Sequence, residues 1–242
     1  SVAAAKAAAA HRRVPLASYL REIRPEVART SGRAALFFNI YNGGQHALKQ
    51  GEVLGRDRIP IQEIMIVTNS KYTYEEQLAM AEKMYEALGQ LLQRVKWIDP
   101  ADPTQFGDEG GYSVKGIGRS EEAIRYVVEA MRRAGYVPGE DVFLALDVAA
   151  SSFHGPEGYE FEGGARDVQW MVSYYKELKS RYSFLISIED GLDEDDWDGW
   201  RLLTRELGIP GRLEDTELQD LDTLARSGRL ADHVLLVGGQ VA

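Results

Sequence analysis

Along the second half of the chain, apolar residues follow two alternating periods. Ser120, followed by Glu121 and Glu122, opens a stretch in which Ile124, Val127, Val128 and Met131 recur at helical spacing until Gly135, which predicts a helix with its start and stop signals. "VFLALDV" (142–148) is a short continuous apolar run and reads as a buried strand. A helix over about 166–181 carries Val168, Val172, Tyr175 and Leu178 on one side, and "FLISIED" supplies the next strand. The series continues with a helix over about 195–207, a weaker strand at "GRLEDTEL", a short helix with Leu221 and Leu224 stopping near Gly228, and a strand at "HVLLV". Continuous apolar strands alternating with helices predict an α/β fold with a parallel sheet covered by helices. The first half is less regular. Helices over about 2–11 and 15–22 lead to a strand at "LFFNIY", and "IQEIMIV" is a second strand after a polar loop containing Lys49 to Arg58. A helix over about 73–95, with Leu78, Ala81, Met84, Tyr85, Leu88, Leu92 and Val95 near one side, joins the halves without a Pro-, Gly- or Ser-rich tract. Residues 1–242 therefore read as a single domain without internal repeats beyond the strand–helix unit.

Composition narrows the function classes. With 242 residues, 44% hydrophobic and 27% charged, the chain can bury a real core. Its 38 acidic residues outnumber 28 Lys plus Arg for a formal charge of -10, which argues against nucleic acid or anionic membrane as a partner and suits metal cations better. There is no cysteine, so disulfides and thiolate zinc sites are excluded and an intracellular setting is permitted. The opening "SVAAAKAAAA" lacks the apolar block of a signal peptide, and no run approaches the roughly 18 apolar residues of a membrane span.

The acids fall at recurring places. "LALDVAAS" ends its apolar run at Asp147, "LISIEDG" at Glu189, and "GRLEDTEL" has Glu214 and Asp215 at the same point. In a parallel barrel these strand ends share the face where active sites are built. Each acid alone reads as a cap for the following helix. Three at equivalent positions favour hard oxygen ligands for Mg²⁺ or a similar cation. A further stretch, "FGDEGGYS" (106–113), sets two acids beside two glycines and is either a solvated turn or one wall of a site.

"FGDEGGYS", "LALDVAASSF", "SIEDGLDEDDW" and "NIYNGGQHAL" resemble four signature stretches of the enolase family, in the family's order and at its approximate spacing, and the opening "SVAAAKAAAAHRRVPLASYL" resembles the two helices that begin the enolase barrel domain. The resemblance implies an enolase-type (β/α)₈ TIM barrel and reversible dehydration of 2-phosphoglycerate to phosphoenolpyruvate, a glycolytic reaction with Mg²⁺ as cofactor, in a cytoplasmic homodimer. It puts the tighter metal on Asp147, Glu189 and Glu214. It makes Glu63 and Glu109 a catalytic pair of acids that helps the hydroxide leave, and assigns substrate contacts to His46 and Gln62. Such a pair is physically reasonable, because adjacent carboxylates raise one another's pKa and keep one protonated near neutral pH.

The chain also departs from the family. Gln45, Gly191 and Glu214 stand where the family has serine, proline and aspartate, and these are tolerable changes. The departure of consequence is in "HVLLVGGQVA", where Val237 occupies the position of the lysine that takes the substrate's proton; no lysine follows Lys179. Loss of a positioned base costs about 10²- to 10⁴-fold. About six strands are legible, whereas a closed barrel of this type has eight. The barrel is thus expected to be incomplete, without the family's N-terminal capping domain and the last part of the barrel, or to be completed by another chain. The alternative to a lyase is a catalytically inactive enolase-like subunit kept for metal binding or interaction.

Overall fold

The computed structural model describes residues 2–23, 34–95, 102, 105–207 and 235–237. Elements are numbered among these. Helices α1 (Val2–His11) and α2 (Leu16–Ile23) form a hairpin, followed by strand β1 (Phe37–Asn42), a one-turn helix α3 (Gly44–Ala47), strand β2 (Glu63–Thr68), and helices α4 (Tyr74–Arg94) and α5 (Ser120–Arg133). Strand β3 (Val142–Asp147) precedes a 3₁₀ turn at Ala150–Phe153 and a small meander of β4 (His154–Gly155), β5 (Gly158–Phe161) and β6 (Gly164–Arg166). Helix α6 (Val168–Arg181), strand β7 (Leu185–Glu189), helix α7 (Trp197–Leu207) and strand β8 (Leu235–Val237) complete the order. The strand expected at "GRLEDTEL", the helix with Leu221 and Leu224, and the residues Glu214 and Asp215 lie outside the described residues.

The helices begin where their capping chemistry dictates. Thr73 accepts from the Glu76 amide while the Glu76 carboxylate accepts from the Thr73 amide at 2.7 Å, a reciprocal box that satisfies two otherwise unpaired donors at the start of α4. Asp167 caps α6 by accepting from the Trp170 amide at 2.7 Å. At α5 the cap comes from elsewhere: the Ser120 amide donates to Glu162, in the turn between β5 and β6, at 2.8 Å.

The main sheet has the order β1-β2-β3-β7-β8. The uniformly parallel sheet expected from the alternation is corrected here, since β2 pairs antiparallel with both β1 and β3 while β3, β7 and β8 run parallel. Chain connectivity gives the reason. Residues 43–62 between β1 and β2 hold only the single turn α3 and no crossover helix, so the chain turns back beside its predecessor. Two successive helices, α4 and α5, then return the chain to enter β3 against β2 and along β1. The meander is an element that the hydrophobic pattern does not announce, because its strands are two to four residues long.

Alternate positions of β2 and β3 feed two apolar layers, and a register irregularity opposite Leu144 and Ala145 lets both Leu185 and Ile188 of β7 join the first. Ile64, Ile66, Leu144, Leu146, Leu185 and Ile188 pack against Met84 and Leu88 of α4, Ile124 and Val127 of α5, and Met171 and Tyr175 of α6 in the principal core. Met65, Val67, Phe143, Ala145 and Ile186 form a second buried cluster on the opposite face of the sheet. Burial on both faces explains why the strands read as continuous apolar runs rather than as alternating ones.

Candidate active site

At one end of the main sheet the register aligns Asn42 with Glu63, Glu63 with Asp147, Asp147 with Glu189, and Glu189 with position 237. Asn42, Asp147 and Glu189 are the last residues of β1, β3 and β7, whereas Glu63 is the first residue of β2; strand reversal brings it to the same end. By the two-residue period of a strand, Glu63 and Asp147 share the face of Met65 and Ala145, so the carboxylates stand over the second apolar cluster.

Burial makes these acids poor carboxylates. The Glu63 carboxyl is pushed up to about 8, first by burial, then by its hydrogen bond with Glu109 and by the negative charges of Glu109, Asp147 and Glu189. Asp147 rises to about 7, again chiefly through burial and then through Glu189 and Asp190, against the lowering effect of the Ala149 amide that donates to its Oδ1 at 3.2 Å. Glu189 is raised by burial and by Asp190, and Asp190 by burial and by Glu194.

Glu109 reaches this end from the loop "FGDEGGYS". It is a tight turn, closed by the Gly110 amide on the Gly107 carbonyl at 3.1 Å and the Gly107 amide on the Gly111 carbonyl at 2.9 Å, with Gly110 at a left-handed φ of 81°. It also lines a pocket of about 80 Å³ in which Glu109 meets Asn42, Gly43, His46, Gln62 and Asp108. The loop is fixed along β1: the Tyr112 amide donates to Ile40 at 3.0 Å, and the Asn42 amide to Tyr112 at 2.8 Å. The Tyr112 ring stacks on Tyr85 with centroids 4.6 Å apart. Glu109 Oε2 accepts from Asn39 Nδ2 at 3.0 Å and Asn42 Nδ2 at 3.2 Å. Beneath it, the buried Arg58 guanidinium donates to Ser113 and grips the equally buried Glu52 through two nitrogens at 2.8 and 3.2 Å, which holds the Glu52 carboxyl below its ordinary value.

His46 and Gln62 are brought into the Glu109 pocket by the Asn42-Gly43-Gly44 turn, where the Gly43 amide donates to the Gln62 carbonyl at 2.8 Å and the Gly44 amide to the Ile59 carbonyl at 2.9 Å. A second cavity, of about 210 Å³, lies beyond the ends of β3 and β7 among Ala149, Ser151, Ser152, Asp190, Leu192 and Glu194. Ala149 and Asp190 adopt left-handed φ of 51° and 45°, and the Ala150 amide donates to the Asp190 carbonyl at 2.9 Å, locking the two loops together. The acidic loop after β7 is pinned from below by Tyr175 to the Gly191 carbonyl at 2.7 Å and by Tyr159, which accepts from the Asp193 amide at 3.0 Å and donates to Asp196 at 3.1 Å.

Of the residues singled out in the sequence, Glu63, Glu109, Asp147 and Glu189 are gathered at one sheet end, with His46 and Gln62 in the pocket beside Glu109. Among the described residues no group of three His, Asp or Glu is arranged to hold a metal ion. Asp147 and Glu189 nevertheless fit as part of such a site: they are neighbouring hard oxygen donors, half-buried, whose shared end of the sheet favours a proton or a cation over two free charges. Asn39, Asn42, Arg58 and Asp190 were not singled out by the sequence. For Asp190 the adjoining acid in "SIEDG" was a usable signal; for Arg58 and the asparagines, the partners are distant in sequence. Among the described residues, no helix is long and apolar enough to cross a membrane.

A family model described as the enolase C-terminal TIM barrel domain matches residues 34–220. The enolase of Kineococcus radiotolerans is 39% identical over 214 residues, which cover 88% of this chain and 44% of that protein. The chain therefore spans less than half the length of this curated relative. With the family match covering most of the chain, and the carboxylates Glu63, Asp147 and Glu189 in register at one end of the main sheet, the chain belongs to the enolase family.

Proposed function

We propose that this chain carries the leaving-group and metal side of an enolase active site, acting in the reversible dehydration of 2-phosphoglycerate to phosphoenolpyruvate. The observation that carries the reading is the placing of Glu109, held by Asn42, beside the half-buried Glu63 opposite that asparagine, where burial first and Glu109 second raise the Glu63 carboxyl to about 8. Near neutral pH the pair keeps one proton. On dehydration that proton joins the departing C3 hydroxyl, so that the C–O bond breaks with release of water rather than hydroxide, and the pair is left with one more negative charge. In the reverse direction, the ionised pair takes a proton from water as it adds. His46 and Gln62 border the same pocket and are suited to orient the hydroxyl-bearing end of the substrate.

The substrate is itself multiply anionic and meets four acidic side chains, so a cation is required for it to bind at all. Asp147 and Glu189, with Glu214 as the third candidate ligand, would hold Mg²⁺, which when bound supplies charge neutralisation for the substrate carboxylate. Residues 1–242 act as one barrel unit in this reading, open to completion by a second copy or another chain.

A second reading rests on position 237. The register sets Val237 beside Glu189, at the end of the strand where the family resemblance calls for the lysine that accepts the C2 proton. A valine cannot accept a proton. An enolase-like subunit retained for metal binding or interaction, without turnover, follows from that substitution. The two readings separate in one experiment on the 242-residue chain with excess Mg²⁺, following phosphoenolpyruvate absorbance together with solvent-deuterium exchange at C2 of 2-phosphoglycerate. Negligible dehydration and no exchange is the expected result if no other group serves as base. Exchange without dehydration would reveal a substitute base, and turnover near that of an ordinary enolase would remove the second reading.

A further inference from the structure

We propose that Asn42 is the positioning residue that sets Glu109 against Glu63, by clamping the backbone and the carboxylate of the Glu109 loop with the two ends of one amide. Its Oδ1 accepts from the Gly111 amide at 2.8 Å, and its Nδ2 donates to Glu109 Oε2 at 3.2 Å. Its own backbone amide donates to Tyr112 at 2.8 Å, so one buried residue, 5% exposed, touches the loop three times. The loop is shaped around that side chain. A Cβ on Gly107 would lie 2.5 Å from the Asn42 Cβ, and one on Gly111 would lie 2.5 Å from Asn42 Oδ1. The glycines flanking Asp108-Glu109-Gly110 therefore make room for the amide between them as well as permitting the turn. Asn39 differs: its Nδ2 donates to the same Glu109 oxygen at 3.0 Å, but its Oδ1 is buried without a hydrogen-bond partner, so it touches the carboxylate without gripping the backbone.

The register explains why this position holds the clamp. Asn42 ends β1 directly opposite Glu63, which begins β2. A residue that hydrogen-bonds Glu109 from this point fixes the distance between the two acids through the sheet itself, with no flexible segment intervening. An asparagine is required because the clamp needs one acceptor and one donor on a planar head; aspartate keeps the acceptor and loses the donor, and alanine loses both.

The proposal rests on reading Glu63 and Glu109 as the leaving-group pair, and its test separates the two. The 242-residue chain, Asn42→Asp and Asn42→Ala are compared by two substrate-free measurements, the side-chain carboxyl carbon resonance of Glu109, assigned with Glu109→Gln, and hydrogen exchange at the Gly111 amide. Asn42→Asp is expected to keep the Gly111 amide protected while the Glu109 resonance moves. In Asn42→Ala both change. Where the parent turns over 2-phosphoglycerate with Mg²⁺, both variants are expected to lose about tenfold or more in kcat, the scale of one hydrogen bond to a charged group, while KM stays within about twofold. Should Asn42→Ala fail to fold, Asn42→Asp carries the test. An unmoved Glu109 resonance in folded Asn42→Asp overturns the proposal, as does a rise in KM with unchanged kcat. A parent chain without turnover reflects the missing base at position 237 and leaves the carbon resonance and the Gly111 amide exchange to decide the role of Asn42, whereas turnover in the parent that survives Glu109→Gln unchanged counts against the leaving-group reading alone.

Discussion

Replacing Glu63 with glutamine isolates the carboxyl on which the proposed chemistry depends, because glutamine has the shape of the protonated acid and cannot ionise. The Glu63 carboxyl is raised from an ordinary 4.5 to about 8 by burial first and Glu109 second. Between these values the folded chain holds a proton that the unfolded chain has released, so stability falls as pH rises through that window. Below it both states are protonated and the parent matches the variant; above it the parent bears the full cost of a buried charge. At about 1.4 kcal/mol for each pH unit, the ceiling on that cost is about 5 kcal/mol. Glu63 is only partly buried, and screening by the solvent it still meets reduces the expected effect to about 1–2 kcal/mol. Urea denaturation of both proteins in EDTA, from about pH 5 to about pH 9, reads it directly. The stability of Glu63→Gln relative to the parent is expected to be near zero at the acid end and to grow in the variant's favour as pH rises. A difference that is constant across the range refutes the reasoning and means that Glu63 is an ordinary solvated carboxylate, and one that grows in favour of the parent refutes it by showing that the fold stabilises the Glu63 charge.

Two further outcomes test the surroundings of that acid. Calorimetry is expected to show Mg²⁺ binding to the parent and its loss in the Asp147→Ala, Glu189→Ala double variant; parental affinity in the double variant rules out these strand ends as the metal site. Arg58→Met leaves the Glu52 carboxylate, 6% exposed, without the guanidinium that pairs with it, and is expected to cost about 3–5 kcal/mol in urea denaturation. A loss below about 1 kcal/mol would show that water reaches Glu52 once Arg58 is gone.

By itself the sequence determined the longer helices and strands among the described residues and that Asp147 and Glu189 end theirs. The stripe of Ile124, Val127, Val128 and Met131 gives α5 at Ser120–Arg133, and "VFLALDV" gives β3 ending at Asp147, because period and capping are local and report which faces must be buried. The motifs were legible for the same reason: "FGDEGGYS" and "SIEDG" are contiguous. Strand direction was not local. A strand reads alike in either sense, so only the connections, a loop from β1 to β2 and two helices from β2 to β3, decided that β2 runs backward and that Glu63 begins rather than ends its strand beside Asp147. The same holds for the network around Glu109. Asn42 and Arg58 carry no periodic signal, and their partners, Gly111 and Ser113, lie far along the chain. A polar side chain that is buried must find its hydrogen bonds wherever the fold brings them, and only the packing of the loop against β1 fixed which partners those would be.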